Sequence, residues 1–173
     1  IASAMAFGSV FVKQGFGLGL ARIGQRIWQL YWAQVAVFIF TVALSVWATR
    51  TLGTGDYNAR LYLDWFLAQP GEAMQALLTL RYIPIFFDML PMYMLLLAMV
   101  PVVMLLSRIG PVAGPAAVAL LSTGLWLAMQ ITGFNLSARP DTDQVWFFNP
   151  FAWQLLFFTG FAFGMGWLKP PAL

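Results

Sequence analysis

Four stretches of this chain are apolar for about twenty residues each, and that feature confines it to a lipid bilayer. They run over residues 27–49, 84–107, 111–132 and 150–168. At about 1.5 Å of rise per residue, each can cross a hydrocarbon core about 30 Å thick as a helix that satisfies its own backbone. Ala2 to Val12 is apolar too but shorter, and reads as the second half of a span that begins upstream of Ile1. The expected fold is all-α: a polytopic transmembrane helix bundle of four complete spans plus a partial N-terminal span, in one membrane domain over residues 1–173. With a start at Ile1 without an initiator Met and an end at Leu173 shortly after a span, the chain is expected to be a fragment.

Composition agrees and removes other classes. Charged residues make up 9% of the chain, against about 25% in soluble domains. A mean hydropathy of +0.80 is incompatible with a disordered tail. With no cysteine and no histidine there is no disulfide scaffold, no thiol nucleophile, no imidazole-based triad and no zinc or iron–sulfur site of the usual ligands, so no metal is expected. Chemistry is left to carboxylates, Arg, Lys, Tyr and backbone. The net charge of +3 is scattered between apolar runs and reads as membrane topology, not as a nucleic-acid surface.

The charges sort by side. Connections 13–26 and 108–110 and the end of the chain hold Lys13, Arg22, Arg26, Arg108 and Lys169 without an acid. Connections 50–83 and 133–149, with Asp88 just inside the next span, hold Arg50, Arg60, Arg81 and Arg139 together with every acid of the chain. The positive-inside rule makes the first set cytoplasmic and turns the two longer loops outward. Within the first outward loop, Tyr57 to Leu67 places Arg60 and Asp64 four apart beside Tyr, Trp, Phe and Leu, as an interfacial amphipathic helix would. Pro70-Gly71 breaks it, and Glu72 to Leu80 forms a second short helix leading to Arg81.

Several local patterns stand out against this background. Gly15-Phe16-Gly17-Leu18-Gly19 follows no strand and is a flexible turn; Gly160 to Gly164 matches a small-residue helix-packing pattern. Asn149-Pro150 opens the last span as an N-cap followed by proline in the first turn. Asp88 stands out, because an acid in a span costs roughly 2.5–3.5 kcal/mol at the helix centre and calls for a partner or a task. Arg81, two helical turns earlier, is the expected partner; alternatively Asp88 faces an outward cavity and accepts a proton from a sugar hydroxyl. Arg139, Pro140, Asp141 and Asp143 read as a solvated turn. Trp146, Asn149, Trp153 and Gln154 at a span's mouth read as the interfacial aromatic belt first and a sugar platform second.

Two stretches carry more than composition: Leu80-Arg81-Tyr82-Ile83-Pro84-Ile85-Phe86-Phe87-Asp88-Met89-Leu90-Pro91-Met92-Tyr93, and Trp146-Phe147-Phe148-Asn149-Pro150-Phe151-Ala152-Trp153-Gln154. With Arg26-Ile27-Trp28-Gln29-Leu30-Tyr31 before them, they resemble the OpgC family of bacterial inner-membrane proteins, over about Gly19 to Trp167. That family is similar to the membrane-bound acyltransferase-3 proteins and is associated with succinyl modification of osmoregulated periplasmic glucans. The resemblance implies acyl transfer across the membrane, from a cytoplasmic acyl-CoA donor such as succinyl-CoA to a periplasmic glucan, with other membrane proteins of glucan biosynthesis as possible partners. Carried over residue by residue, it implies Asp88 and Arg81 as catalytic residues, and Tyr82, Tyr93, Trp146, Asn149, Trp153 and Gln154 as substrate-binding residues. The chain departs from the acyltransferase-3 pattern in lacking a membrane histidine, and Gln34 stands where a family His is expected, so the fragment by itself is expected to be inactive. Two other classes remain open: a piece of a glycan or acyl-group transporter, with Asp88, Pro91 and Pro101 marking a broken helix, and an inactive membrane scaffold.

Overall fold

Residues 3–52, 56–84 and 87–169 are described by a computed structural model. Among them the chain is helical, and its β structure is limited to an isolated antiparallel bridge between Ser137 and Val145. The helices are α1 (Ala4–Lys13, opening with a π-helical turn), α2 (Phe16–Leu52), α3 (Tyr57–Arg60), α4 (Asp64–Ala68), α5 (Pro70–Leu78), α6 (Met89–Leu106, extended by a 3₁₀ turn at Ser107–Ile109), α7 (Ala113–Thr132) and α8 (Pro150–Gly164). Residues 1–2 and 170–173, where the partial span was expected to start and the chain ends, lie outside the described residues, as do Ile85 and Phe86 of the first motif.

Among the described residues, three helices are long and apolar enough to cross a membrane: α2, α6 with its 3₁₀ extension, and α7. The first expected span begins at Phe16 instead of Ile27. Residues 16–26 contain no proline, and their scattered glycines cost only about 1 kcal/mol each, so the helix runs on through residues whose polarity reads as a loop. Of the expected connection 13–26, the non-helical part is Gln14-Gly15, with Gly15 at a φ of +96° that suits glycine alone. At 37 residues α2 is about 55 Å long, and Arg22 and Arg26 ride on it. Of the span expected at 84–107, the helix begins at Met89, and Phe87 and Asp88 before it are not helical.

The fourth expected span is the main correction. Helix α8 has 15 residues, or about 22 Å, and closes at Met165-Gly166, where Gly166 takes a φ of +73°. It falls short of a hydrocarbon core of about 30 Å. The partial span is the short apolar helix α1. The single amphipathic helix expected over 57–67 is two helices, α3 and α4, so Arg60 and Asp64 do not share one helical face; the second short helix expected after Pro70 is α5.

The chain divides into two compact units, one of Ile1–Trp28, Tyr93–Phe134 and Asn149–Leu173, the other of Gln29–Met92 and Asn135–Phe148. In the first, α7 packs on α8 through a buried amide: Gln154 Nε2 donates to the Ser122 carbonyl at 2.7 Å, and Ser122 Oγ donates to Gln154 Oε1 at 2.5 Å. Phe158, Phe161 and Val118 are buried beside it. In the second, Phe38 is fully buried and its ring meets those of Phe66, Phe87 and Tyr82 at 5.1, 5.3 and 5.8 Å. Gln34, also buried, donates to the Phe87 carbonyl at 2.8 Å.

Close approach at Gly114 gives a direct test of the first unit. A Cβ there would lie 2.7 Å from the Cα and the carbonyl oxygen of Ser107, backbone atoms that cannot swing aside. Gly114→Ala is expected to destabilise by about 1–3 kcal/mol. Gly124, in the same helix with open space around it, should instead gain up to about 1 kcal/mol on replacement by Ala. Thermal melts of the two variants in detergent should therefore shift in opposite directions, and equal shifts would contradict this packing.

Candidate functional site

The second unit holds an open groove of about 740 Å³. Its lining comes from α4 (Trp65, with Gln69 after it), from α5 (Glu72, Gln75 and Ala76, with Thr79 as its C-cap), from Arg81, and from Pro140 and Asp141. The α5 residues are spaced i, i+3, i+4, i+7, one face of a helix, while Ala73 and Leu77 turn the apolar face inward and are buried. A recess of about 190 Å³ is lined by Leu80, Arg81, Leu136, Ser137, Pro140 and Trp146, and so shares Arg81 and Pro140 with the groove.

The wall opposite α5 is a loop held by a small set of bonds. Ala138 N donates to the Gln144 carbonyl at 2.7 Å and Trp146 N to the Leu136 carbonyl at 2.9 Å, closing a hairpin-like turn. Its tip carries a two-pronged ion pair: Arg139 Nε and Nη2 donate to Asp141 Oδ1 and Oδ2 at 3.0 and 2.6 Å. Arg139 is only 8% exposed. Its guanidinium lies 5.8 Å from the centre of the Tyr82 ring, and Nη1 points to the Tyr62 carbonyl at 3.5 Å. The Tyr82 hydroxyl donates to the same carbonyl at 3.0 Å, and Ile83 N donates to the Ala138 carbonyl at 2.7 Å. The ring of Trp65 stands 5.0 Å from that of Tyr82.

Two helix ends shape this arrangement. After α3, Tyr62 N bonds the Ala59 carbonyl and Leu63 N the Asn58 carbonyl; after α5, Leu80 N bonds the Leu77 carbonyl and Arg81 N the Ala76 carbonyl. Both are Schellman turns, whose penultimate residue is left-handed and usually glycine. Here those residues are Tyr62 and Leu80, with φ of +56° and +55°. Each conformation costs an L-residue about 1–2 kcal/mol.

The electrostatics follow from the geometry. Burial pushes the Tyr82 phenol up to about 12; the Arg139 charge opposes this, and Asp141 and Asp64 reinforce it. The hydrogen bonds from Arg139 hold the Asp141 carboxyl below the usual carboxylate range, and the same bonds raise the Arg139 guanidinium.

Of the residues singled out from sequence, Arg81, Tyr82 and Trp146 gather around the recess and the loop, and Asp88 lies in the same unit. Trp146 is buried and its indole N–H donates to the Ser137 carbonyl at 3.0 Å, so it forms part of the recess wall and is not an exposed belt residue. Asp88 is 2% exposed. The expected Arg81–Asp88 ion pair is not formed: Arg81 is exposed on the groove, and the described part of residues 81–88 is not helical, which removes the helical alignment the pairing required. The Asp88 carboxylate instead accepts the Phe148 N–H through Oδ2 at 2.6 Å, and its carbonyl accepts Met92 N at 2.9 Å as α6 begins. Its Oδ1 is buried and has no hydrogen-bond partner among the described residues.

Tyr93, Asn149, Trp153 and Gln154 belong to the first unit. Tyr93 Oη lies 3.3 Å from Ser3 Oγ. Asn149 caps α8 as expected, accepting Phe151 N at 2.9 Å, and donates to the Phe134 carbonyl at 2.7 Å. Gln154 is held by Ser122, and Trp153 is 40% exposed. Sequence reading missed Trp65, the Glu72/Gln75/Thr79 face and the Arg139–Asp141 pair. The polar residues at helical spacing behind Pro70 were the available signal for the second of these.

The pH dependence of this site has a defined sign. Tyr82 is raised above its unfolded value of 10.0, so its contribution to stability is complete below that pH and is lost as the pH rises through about 12. Asp141 is lowered, so its contribution is complete above the usual carboxylate range and is lost as the pH falls through its depressed value. In an alkaline absorbance titration, one of the five tyrosines should ionise near pH 12, and Tyr82→Phe should remove that late step; a normal titration of Tyr82 would contradict the buried hydroxyl.

A family profile described as OpgC protein matches residues 1–173. No curated protein and no solved structure matches the chain.

Proposed function

Because the chain belongs to the OpgC protein family, we propose that it forms part of an inner-membrane acyltransferase that moves an acyl group, succinyl by family resemblance, onto hydroxyls of a periplasmic glucan. The observation that carries the reading is the groove: a half-buried Trp65 beside the amides of Gln69 and Gln75, the hydroxyl of Thr79 and the charges of Glu72 and Arg81. An aromatic face with hydrogen-bonding groups around it suits a sugar ring, whose C–H face is apolar and whose rim is hydroxyls. The orientation inferred from the charge pattern puts these loops on the periplasmic side, where a glucan acceptor would be met.

In the reaction proposed, a glucan hydroxyl oxygen attacks the carbonyl of a CoA thioester, the hydroxyl proton passes to a base, the carbon–sulfur bond breaks, and the departing CoA thiolate takes up that proton. The chain has no histidine, and among its own side chains we assign the base to a carboxylate. Asp141 is tied to Arg139, whereas Asp88 keeps an oxygen without a partner among the described residues. We assign Asp88 to accept the proton and Arg81 to bind the acyl carboxylate. The transporter alternative rested on a helix broken at Pro91 and Pro101, and α6 runs unbroken through both. Pro91 sits in the first turn, where a missing N–H leaves no bond unmade.

The test is the acyl content of periplasmic glucans, measured by mass spectrometry in cells with the full-length gene deleted and then restored. Deletion should abolish the acyl groups. Restoration with Trp65→Ala should recover about one tenth or less of them under limiting acceptor, as expected for losing an aromatic anchor worth about 2 kcal/mol. Asp88→Asn should fold and insert but fail to acylate. Glucans unchanged by the deletion would sink the acyltransferase reading, and normal acylation by Asp88→Asn would remove Asp88 from the chemistry.

A further inference from the structure

Where α8 ends, its Schellman turn follows the usual rule: Gly166 takes the left-handed position, bonding the Phe163 carbonyl, and Trp167 N bonds the Ala162 carbonyl. The end of α5 breaks the rule, with Leu80 in the same position at a φ of +55°. Glycine would make the same two bonds with less strain, so backbone geometry alone does not account for leucine. The side chain gives the reason. Leu80 lines the recess with Trp146, and the residue it delivers, Arg81, lines both recess and groove.

The recess differs in kind from the groove. Arg81 is its one charged lining residue, Ser137 its one hydroxyl, and the rest is Leu, Pro and Trp. Arg81 has no ion-pair partner among the described residues, since the ion pair nearby joins Arg139 to Asp141. A small cavity with apolar walls and one unneutralised guanidinium suits a short substituent ending in an anion, while the neutral sugar chain lies along Trp65 in the groove.

Resting on the carbohydrate reading of the groove, we propose that Leu80 is a positioning residue retained against backbone strain: it walls the recess and fixes Arg81 there to receive a small anionic substituent on the bound carbohydrate. Glycine at this position would relax the turn and free Arg81 from a single placement. Stability and binding selectivity are then expected to move in opposite directions, a pairing that a purely structural leucine would not produce.

The experiment uses the full chain in detergent or nanodiscs and three gluco-oligosaccharide probes: unmodified, carrying a carboxylate half-ester, and carrying a phosphate monoester. Wild type should bind an anionic probe about tenfold more tightly than the neutral one. The carboxylate and phosphate arms identify which anion the recess takes. Leu80→Gly should raise the melting temperature by about 2–4 °C and erase most of that preference. Leu80→Met, which keeps a long apolar wall, should retain the preference, and Arg81→Gln should lose it without the gain in melting temperature. A lower melting temperature or failure to fold in Leu80→Gly, or an intact preference, overturns the inference. Equal binding of charged and neutral probes by wild type also overturns it and leaves the groove reading standing. No binding of any probe by wild type brings down the groove reading, and the inference with it.

Discussion

The groove depends on one backbone carbonyl, that of Tyr62. The left-handed turn after α3 sets it outside any helix, and a carbonyl has two lone pairs. One takes the Tyr82 hydroxyl at 3.0 Å; the other faces Arg139 at 3.5 Å, long enough to orient the guanidinium but to bond it only weakly. Through that oxygen the α3 turn, the non-helical segment after α5 and the loop bearing Asp141 meet. The Ile83 to Ala138 hydrogen bond at 2.7 Å fixes the register of the last two.

Arg139 and Asp141 should not be credited with holding the loop down. Removing both charges from water costs several kcal/mol per ion where burial is deep, and their attraction recovers that only with good geometry, so the net can be near zero. The pair is well formed, yet its effect is chiefly to select one geometry. Stability comes from apolar burial. Filling a core site with a phenylalanine contributes about 1.5–3 kcal/mol, and an edge-on ring contact adds about 0.5–1.5 kcal/mol. Phe38, with three ring neighbours, gathers several such terms in the unit that carries the groove. The division is between an aromatic hub that supplies energy and a polar tip that supplies shape.

Hydropathy made the helical class and three of the spans legible, because the bilayer leaves so few backbone options. It failed at helix ends. Arg22 and Arg26 look like a loop on a polarity scale, yet nothing there stops a helix, and α2 continues through them. At α8 the reverse holds: residues 165–168 are apolar enough to prolong a span, but Gly166 turns the chain back. The site was only partly visible for a related reason. Arg81, Tyr82 and Trp146 stood out in their motifs, whereas Trp65 and the α5 polar face acquire meaning only when the turn at Leu80 brings α5 against residues 140–141. That turn defies its own propensity, with leucine where glycine is usual, so no local rule predicts it.

Asp88 shows where the physical account meets the chemistry. Sequence reasoning paired it with Arg81 because a buried carboxylate needs compensation, and the principle was sound while the partner was wrong. Two other sources take that place: the N–H of Phe148, and the N-terminus of α6, whose partial positive charge stabilises an acid by about 0.3–1 kcal/mol, or about 2 kcal/mol where it is partly buried. The Phe148 bond, being charge-assisted, contributes about 1.5–3 kcal/mol, and the two sources together offset much of the several kcal/mol that burying a carboxylate costs. Whatever part of that cost is left sits on Oδ1, which has no hydrogen-bond partner among the described residues. A hydroxyl donor arriving there would recover part of it, so under the proposed function the feature that makes Asp88 a poor structural residue is the one that gives an acceptor hydroxyl a reason to bind beside it.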